Sequence, residues 1–182
     1  MGIPFKKFKM RRYFFVFFVI FFLTSTKITF AQSSYVLPYP SAMPGSISYK
    51  SHILSEELQK YWYFGNFGQF YYNLKQSDKY LVEAKTLFEY KQYLLGYNAL
   101  LKSNEYFIKI NPFLIKAKIE GKDISEKSKI LDMASQKHVE ILVQIEKNTP
   151  IEFVWTPEKS SATKLLLRKS IDDSISVRQK NI

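Results

Sequence analysis

Apolar residues recur at intervals of three and four along four segments of this chain, and this spacing constrains its fold more than any other feature. Such intervals return a side chain to the same face of an α-helix. Each segment therefore predicts an amphipathic helix with one face in a core. We expect an all-α protein, with an antiparallel bundle of about four main helices in residues 46–148.

The first two predicted helices share the turn around Gly65. The first begins at Ser46, a favourable N-cap residue, and ends near Phe64. Its core face would carry Ile47, Leu54, Leu58 and Tyr61. The second begins at Asn66, with Gln69 three residues later as in a capping box, and ends near Tyr90. Its core face would carry Phe67, Phe70, Leu74, Ser77, Leu81, Ala84 and Phe88.

The third predicted helix begins near Gln92 and ends at Gly121, and Pro112 either kinks it or begins a new turn. Its inner face would carry Tyr93, Gly96, Tyr97, Leu100, Ser103 and Phe107. The small residue at Gly96 favours a close approach to the preceding helix. A capping box over residues 123–126 opens a fourth helix that ends near Lys147. Its core face would carry Leu131, Ala134, His138, Ile141 and Ile145.

Extended segments flank the predicted bundle on both sides. Residues 32–45 contain three prolines, which exclude a helix and favour an extended approach. Residues 149–182 are expected to form an extended C-terminal arm and a short closing helix that docks on the bundle through Leu167, Ile171 and Ile175. The extended part is short, so we expect it to lie across the bundle without a sheet of its own.

The first 31 residues have the layout of a secretory signal peptide. Five basic residues precede an uncharged apolar run over residues 13–23, and Thr29 and Ala31 supply small side chains for cleavage after residue 31. The alternative is an uncleaved membrane anchor, although the apolar run is shorter than the roughly 20 residues of a spanning helix. Both interpretations predict an exported domain at the cell surface or outside the cell.

The basic charge of the chain is concentrated near its beginning. The sequence has 27 Lys and Arg against 16 Asp and Glu, and six of the bases precede residue 32. Their removal leaves 21 basic against 16 acidic residues, a net charge of +5. This mild charge argues against a nucleic-acid-binding protein. The absence of cysteine excludes disulfides, thiolate catalysis and cysteine-ligated zinc.

The residues that could carry catalysis do not form a recognisable motif. His52 and His138 lie on different predicted helices, and His138 falls in an apolar stripe, which favours a core histidine over a metal ligand. The carboxylates are expected to be solvated on outer helix faces: Glu56, Glu57, Asp78, Glu83, Glu89 and Glu105. The sequence has neither a phosphate-binding glycine loop nor a nucleophile elbow. We therefore expect a non-enzymatic protein with no catalytic residues, metal site or cofactor.

A dense group of aromatic residues follows the first predicted helix. The candidate interaction surface consists of Tyr61, Trp62, Tyr63, Phe64 and Tyr72. Aromatic residues on all sides of a helix end cannot all face one core, so some could be exposed for a partner. The alternative, which we favour, is a corner packed by neighbouring helices and the tail.

Several segments together resemble an uncharacterised family. They are residues 37–40 (LPYP), residues 43–45 (MPG), residues 78–85 (DKYLVEAK) and residues 155–159 (WTPEK). With the signal peptide, this combination is similar to a family of secreted bacterial proteins known as domain of unknown function 5667. The resemblance implies a helical extracytoplasmic domain and supplies no activity or site residues.

These features predict an exported, non-enzymatic envelope or surface-associated protein that acts by binding. Expected partners are a cell-envelope polymer or another surface protein, and transiently the export machinery. The membrane would be contacted only through an uncleaved N-terminal segment. A structural component that oligomerises through its aromatic group is the alternative function, and an extracytoplasmic hydrolase is the least favoured one. The sequence leaves the oligomeric state open.

Overall fold

A computed structural model describes residues 34–40 and 43–180 of the chain. The predicted signal peptide, residues 1–31, lies outside the described residues. The helices are α1 (Tyr49–Gln59), α2 (Gly65–Glu89), α3 (Tyr93–Ile119), α4 (Ser125–Asn148) and α5 (Leu167–Gln179). Two short strands, β1 (Phe153–Trp155) and β2 (Thr163–Leu165), precede α5. The predicted helical bundle with a short closing helix is confirmed.

Helices α2 and α3 form the antiparallel hairpin at the centre of the bundle. Of the predicted core residues of α2, all except Phe67 are buried, and Phe67 is half-buried. On α3, the predicted inner face is buried at Gly96, Leu100, Ser103 and Phe107. The spacing by three and four therefore identifies which face of α2 and of α3 is inside. Helix α3 also continues through Pro112, so a separate helix beginning there is excluded.

Two turns of the same geometry end α2 and α3. After α3, Gly121 adopts a left-handed φ of 76°, and Lys122 donates its main-chain N–H to the carbonyl oxygen of Ala117 at 3.0 Å. After α2, Lys91 adopts a φ of 59°, and Gln92 donates to Leu87 at 2.8 Å. Both are Schellman turns, in which the residue with positive φ is usually glycine. Lys91 thus occupies a position that favours glycine.

The hairpin connection brings Gly96 against the preceding helix. A β-carbon built at Gly96 would lie 3.2–3.3 Å from ring carbons of Phe88 on α2. This distance is tighter than an ordinary van der Waals contact, so the predicted close approach at Gly96 is confirmed.

The C-terminal part closes the bundle. All five predicted core residues of α4 are buried, as are Leu167 and Ile171 of α5. The extended arm differs from the prediction, because β1 pairs antiparallel with β2, with Phe153 opposite Leu165. The second strand was not recognised in the sequence, and it satisfies the main chain of a segment that was expected to lie unpaired across the bundle.

The prediction for α1 was wrong in its orientation. The helix is shorter than expected and buries none of its residues. Its predicted core residues Leu54 and Leu58 are exposed. The helix instead turns its polar side toward α2, where Tyr49 donates to Glu83 at 3.0 Å and Lys79 pairs with Glu56 at 2.5 Å.

Candidate functional site: an exposed aromatic corner

The turn between α1 and α2 is held in one conformation by two residues of α2. The Gln69 side chain donates to the carbonyl oxygen of Tyr63 at 2.7 Å and to that of Lys60 at 3.2 Å. A β-carbon at Gly68 would lie 2.6 Å from the carbonyl carbon of Tyr63, so only glycine allows the turn to lie this close to α2. The predicted capping box is wrong in detail, because Phe64 is the N-cap and Asn66 donates to Glu120 instead.

This turn presents three aromatic side chains to solvent. Tyr61 is 71% exposed, Trp62 is 74% exposed and Phe64 is 82% exposed. We call these three residues the aromatic corner. The corner that was expected to be packed by neighbouring helices is therefore open. Leu58 and Leu54 of α1 lie one and two helical turns before it and are also exposed, which extends the apolar surface along the helix.

Two of the five predicted surface residues do not belong to the aromatic corner. Tyr63 is half-buried, with its ring centroid 5.6 Å from that of Tyr72. Tyr72 is buried and packs edge-on against Tyr106 of α3 at 6.1 Å. Tyr72 packs between α2 and α3 because it lies beside the core stripe of α2.

A buried polar layer crosses the middle of the core, with apolar clusters on both sides. At its centre, His138 Nε2 lies 2.7 Å from Asp78 Oδ1, and the hydroxyl of Tyr35 donates to Asp78 Oδ2 at 2.6 Å. Burial lowers the pKa of His138, the carboxylate of Asp78 opposes that effect, and Arg178 adds to it. The imidazole is therefore neutral near pH 7, and Nε2–H donates to the carboxylate.

Arg178 of α5 completes the layer and is fully buried. Its guanidinium donates to Asn104 Oδ1, to Ser103 Oγ at 2.8 Å and to the carbonyl oxygen of Ser174 at 3.1 Å. Burial lowers the pKa of Arg178 to about 9, although the charge of Asp78 raises it. The layer is closed to solvent at His138 and Arg178, so these groups hold the bundle together and cannot reach a substrate in this conformation.

The burial of two carboxylates corrects two predictions, and the burial of His138 confirms one. Asp78 and Glu83 were expected to be solvated, but both are buried. Burial raises the pKa of Glu83, while its hydrogen bond from Tyr49 opposes that effect. His138 is a buried core histidine, as predicted. The signal that could have located the layer is the presence of Ser77, Ser103 and His138 in otherwise apolar stripes.

A pocket of about 140 Å³ lies between α1, α2 and α3. It is lined by three tyrosines, three glutamates, a glutamine, a lysine and an isoleucine: Tyr72, Tyr80, Tyr106, Glu56, Glu57, Glu105, Gln76, Lys102 and Ile53. We call it the tyrosine pocket. The rings of Tyr80 and Tyr106 are parallel within 5°, with centroids 5.7 Å apart. Sequence reasoning did not predict this pocket, although Tyr72, Gln76 and Tyr80 recur every four residues beside the core stripe.

Residues 34–40 and 43–180 also bear on a membrane-spanning helix and on a metal site. No helix in these ranges has the length and apolar character needed to cross a bilayer. The same residues contain no group of three or more His, Asp and Glu side chains arranged to hold a metal ion.

Comparisons with protein-family models, curated proteins and solved structures gave no match. The resemblance to a family of secreted bacterial proteins therefore stays a prediction. The most distinctive exposed feature of the described residues is the group of rings in the aromatic corner.

Proposed function

We propose that this chain is an exported, non-enzymatic binding protein of the cell envelope, which engages an anionic envelope polymer through the aromatic corner. The observation that carries the proposal is the exposure of Tyr61, Trp62 and Phe64 on one fixed turn. Exposed large aromatic rings cost free energy in water and are typical of contact sites. The turn is preorganised by Gln69 and Gly68, which limits the entropy lost on binding.

The size of the corner favours a polymer strand over a folded protein partner. Three aromatic side chains with about three quarters of their surface exposed offer on the order of 450 Å². A standard protein interface needs about 800 Å² from each partner. A flexible polymer that contacts a few rings needs less area, and the +5 charge of residues 32–182 favours a polymer that carries negative charge. Lys60 is exposed at the end of α1 that leads into these rings.

Retention on isolated envelopes tests this function. The protein from residue 32 onward is mixed with envelopes at low and high salt, and the bound fraction is measured for the parent and for Trp62→Ala. The electrostatic part of binding should weaken with salt, because the Debye length falls to about 8 Å at physiological ionic strength. The aromatic part should persist, so Trp62→Ala should remove the salt-resistant fraction.

A matched variant controls for the loss of an aromatic ring as such. Tyr90 is 76% exposed and lies at the opposite end of α2 from the corner. We expect Tyr90→Ala to bind envelopes like the parent. Equal retention of the Trp62→Ala and Tyr90→Ala variants would contradict the proposal. Concentration-dependent association of the parent in solution, abolished by Trp62→Ala, would instead favour the structural, oligomeric function.

A further inference from the structure

The tyrosine pocket has no part in the proposed envelope binding, and its walls carry an excess of acceptors. Three carboxylates line it, from Glu56 and Glu57 on α1 and Glu105 on α3. One lysine, Lys102, lines it as well. Because Glu56 is already paired with Lys79 at 2.5 Å, Glu57 and Glu105 are the carboxylates available to a ligand. The pocket is therefore negatively charged as a whole, which attracts cations.

The rings of the pocket already lie beside cations of the protein itself. Lys79 Nζ is 4.6 Å from the centroid of the Tyr80 ring, and Lys102 Nζ is 5.2 Å from it. Ammonium groups at this distance are attracted by the quadrupole of an aromatic ring. The ring of Tyr80 is also stacked on that of Tyr106, so it is held in place. The environment of the pocket thus favours an ammonium group.

The side-chain carbonyl of Gln76 independently indicates that a hydrogen-bond donor binds in the pocket. Its side chain is only 1% exposed, it lines the tyrosine pocket, and its Oε1 has no hydrogen-bond partner. A buried carbonyl oxygen without a donor is costly and usually has an explanation such as a bound group. An N–H donor in the pocket would satisfy it.

We propose that the tyrosine pocket binds a primary ammonium group, from a small amine or from a lysine side chain of a partner. The ammonium donates to Gln76 Oε1 and to the carboxylates of Glu57 and Glu105, while its alkyl chain lies along Ile53 and the tyrosine rings. A volume of about 140 Å³ is well above the 10–15 Å³ that one water requires. It accommodates a ligand of several heavy atoms.

Titration with n-butylammonium tests the proposal, followed by tyrosine fluorescence and calorimetry on the protein from residue 32 onward. We expect saturable binding with a Kd of about 1 mM, typical of a ligand with few atoms. Tetramethylammonium has the same charge without an N–H donor and should bind at least tenfold more weakly. Equal affinity for the two cations, or no saturation by 20 mM butylammonium, would overturn the assignment.

Two exposed charged residues give effects of opposite sign without disturbing the core. Glu57→Gln should raise the Kd about fivefold, the effect of one unit charge at about 4 Å in water. Lys102→Met should lower the Kd by a similar factor, because it removes a like charge. Glu89→Gln, at an exposed ion pair with Lys85 outside the tyrosine pocket, is the control and should leave the Kd unchanged. A Kd that neither Glu57→Gln nor Lys102→Met alters would contradict the proposal.

Gln76→Leu separates a ligand contact from a structural role. The substitution removes an unpartnered buried oxygen, so the melting temperature should stay the same or rise, while the Kd for butylammonium rises at least tenfold. An unchanged Kd would overturn the role of Gln76. Trp62→Ala should not alter butylammonium binding, so failure of this proposal is distinguishable from failure of the envelope-binding one. Comparison of butylammonium with Nα-acetyl-lysine amide distinguishes a free amine from a lysine side chain as the source.

Discussion

Ser77 of α2 and Ser103 of α3 exchange hydrogen bonds in the centre of the bundle. The hydroxyl of Ser77 donates to the carbonyl oxygen of Ser103 at 3.0 Å. The hydroxyl of Ser103 donates to the carbonyl oxygen of Ser77 at 2.8 Å. A shift of one helix along the other would break both bonds and leave buried polar groups unpaired. The pair therefore fixes the register of the hairpin, which apolar contacts alone specify less strictly.

Ser103→Ala should destabilise the domain by about 1–3 kcal/mol. The substitution removes one hydrogen bond to Ser77 and also leaves a guanidinium nitrogen of buried Arg178 without its partner at 2.8 Å. Ser176→Ala, an exposed serine of α5, is the control and should change the free energy of unfolding by less than about 0.5 kcal/mol. Urea unfolding followed by circular dichroism measures both, and equal effects would contradict the expected role of Ser103.

The stability of the protein should fall as the pH falls below about 6.5. The pKa of His138 is lowered in the folded state from its ordinary value of 6.5, so between those two values the unfolded chain binds more protons. The free energy of unfolding then decreases with decreasing pH, with a slope from this group of at most about 1.4 kcal/mol per pH unit.

Comparison with His138→Gln isolates the contribution of the imidazole. The raised pKa of Glu83 acts in the opposite direction, because the folded state then binds the extra proton above pH 4.5. Since Glu83 is present in both proteins, the difference between their unfolding free energies at pH 5 and pH 7 reports His138. Parallel pH profiles for the two proteins would contradict the expectation.

Lys91→Gly should stabilise the protein by up to about 1 kcal/mol. Lys91 has a φ of 59°, which costs free energy for a residue with a β-carbon and little for glycine. Gly121→Ala gives the reverse substitution in the equivalent turn after α3, and it should be destabilising by a similar amount. A β-carbon there would meet no atom within 4 Å, so its effect reports backbone strain alone. Thermal unfolding measures both variants, and a lower melting temperature for Lys91→Gly would be the contrary result.

Gly96→Leu should destabilise the protein by about 1–3 kcal/mol, because the added side chain must displace the Phe88 ring. Gly96→Ala adds one methyl at 3.2 Å from that ring, and its gain in helix propensity of about 1 kcal/mol offsets the tight contact. We expect the alanine variant to be near neutral. Chemical unfolding of the three proteins decides this, and equal stability of the leucine and alanine variants would mean that Phe88 moves aside freely.

The spacing of apolar residues predicted α2, α3 and α4 well because each buries a continuous stripe. Phe70, Leu81 and Ala84 face the core where the pattern placed them. The same spacing misled for α1, because Leu54 and Leu58 form a stripe that faces solvent. The spacing of apolar residues predicts which residues share one face of a helix. It does not predict which face packs against the rest of the molecule.

The polar sites were harder to predict, since their partners are distant in sequence. In the sequence alone, Asp78 looks like a carboxylate on a helix surface. Its partners His138 and Tyr35 come from two other segments and lie beside it only in the fold. Likewise, the tyrosine pocket exists only because α1 lies across α2 and α3. Short-range spacing carries no information on these arrangements. The local density of aromatic residues located the corner at Trp62, but the packed corner that we favoured from the sequence is not what the structure has.

Residues near both ends of the described chain interact with a single carboxylate, that of Asp78. Tyr35, near the beginning, bonds to Asp78, and Arg178, near the end, is attracted to the same charge. The central layer therefore stays incomplete during synthesis until residue 178 has emerged. Removal of the segment around Tyr35, or of the last turn of α5, would therefore each deprive Asp78 of one neighbour.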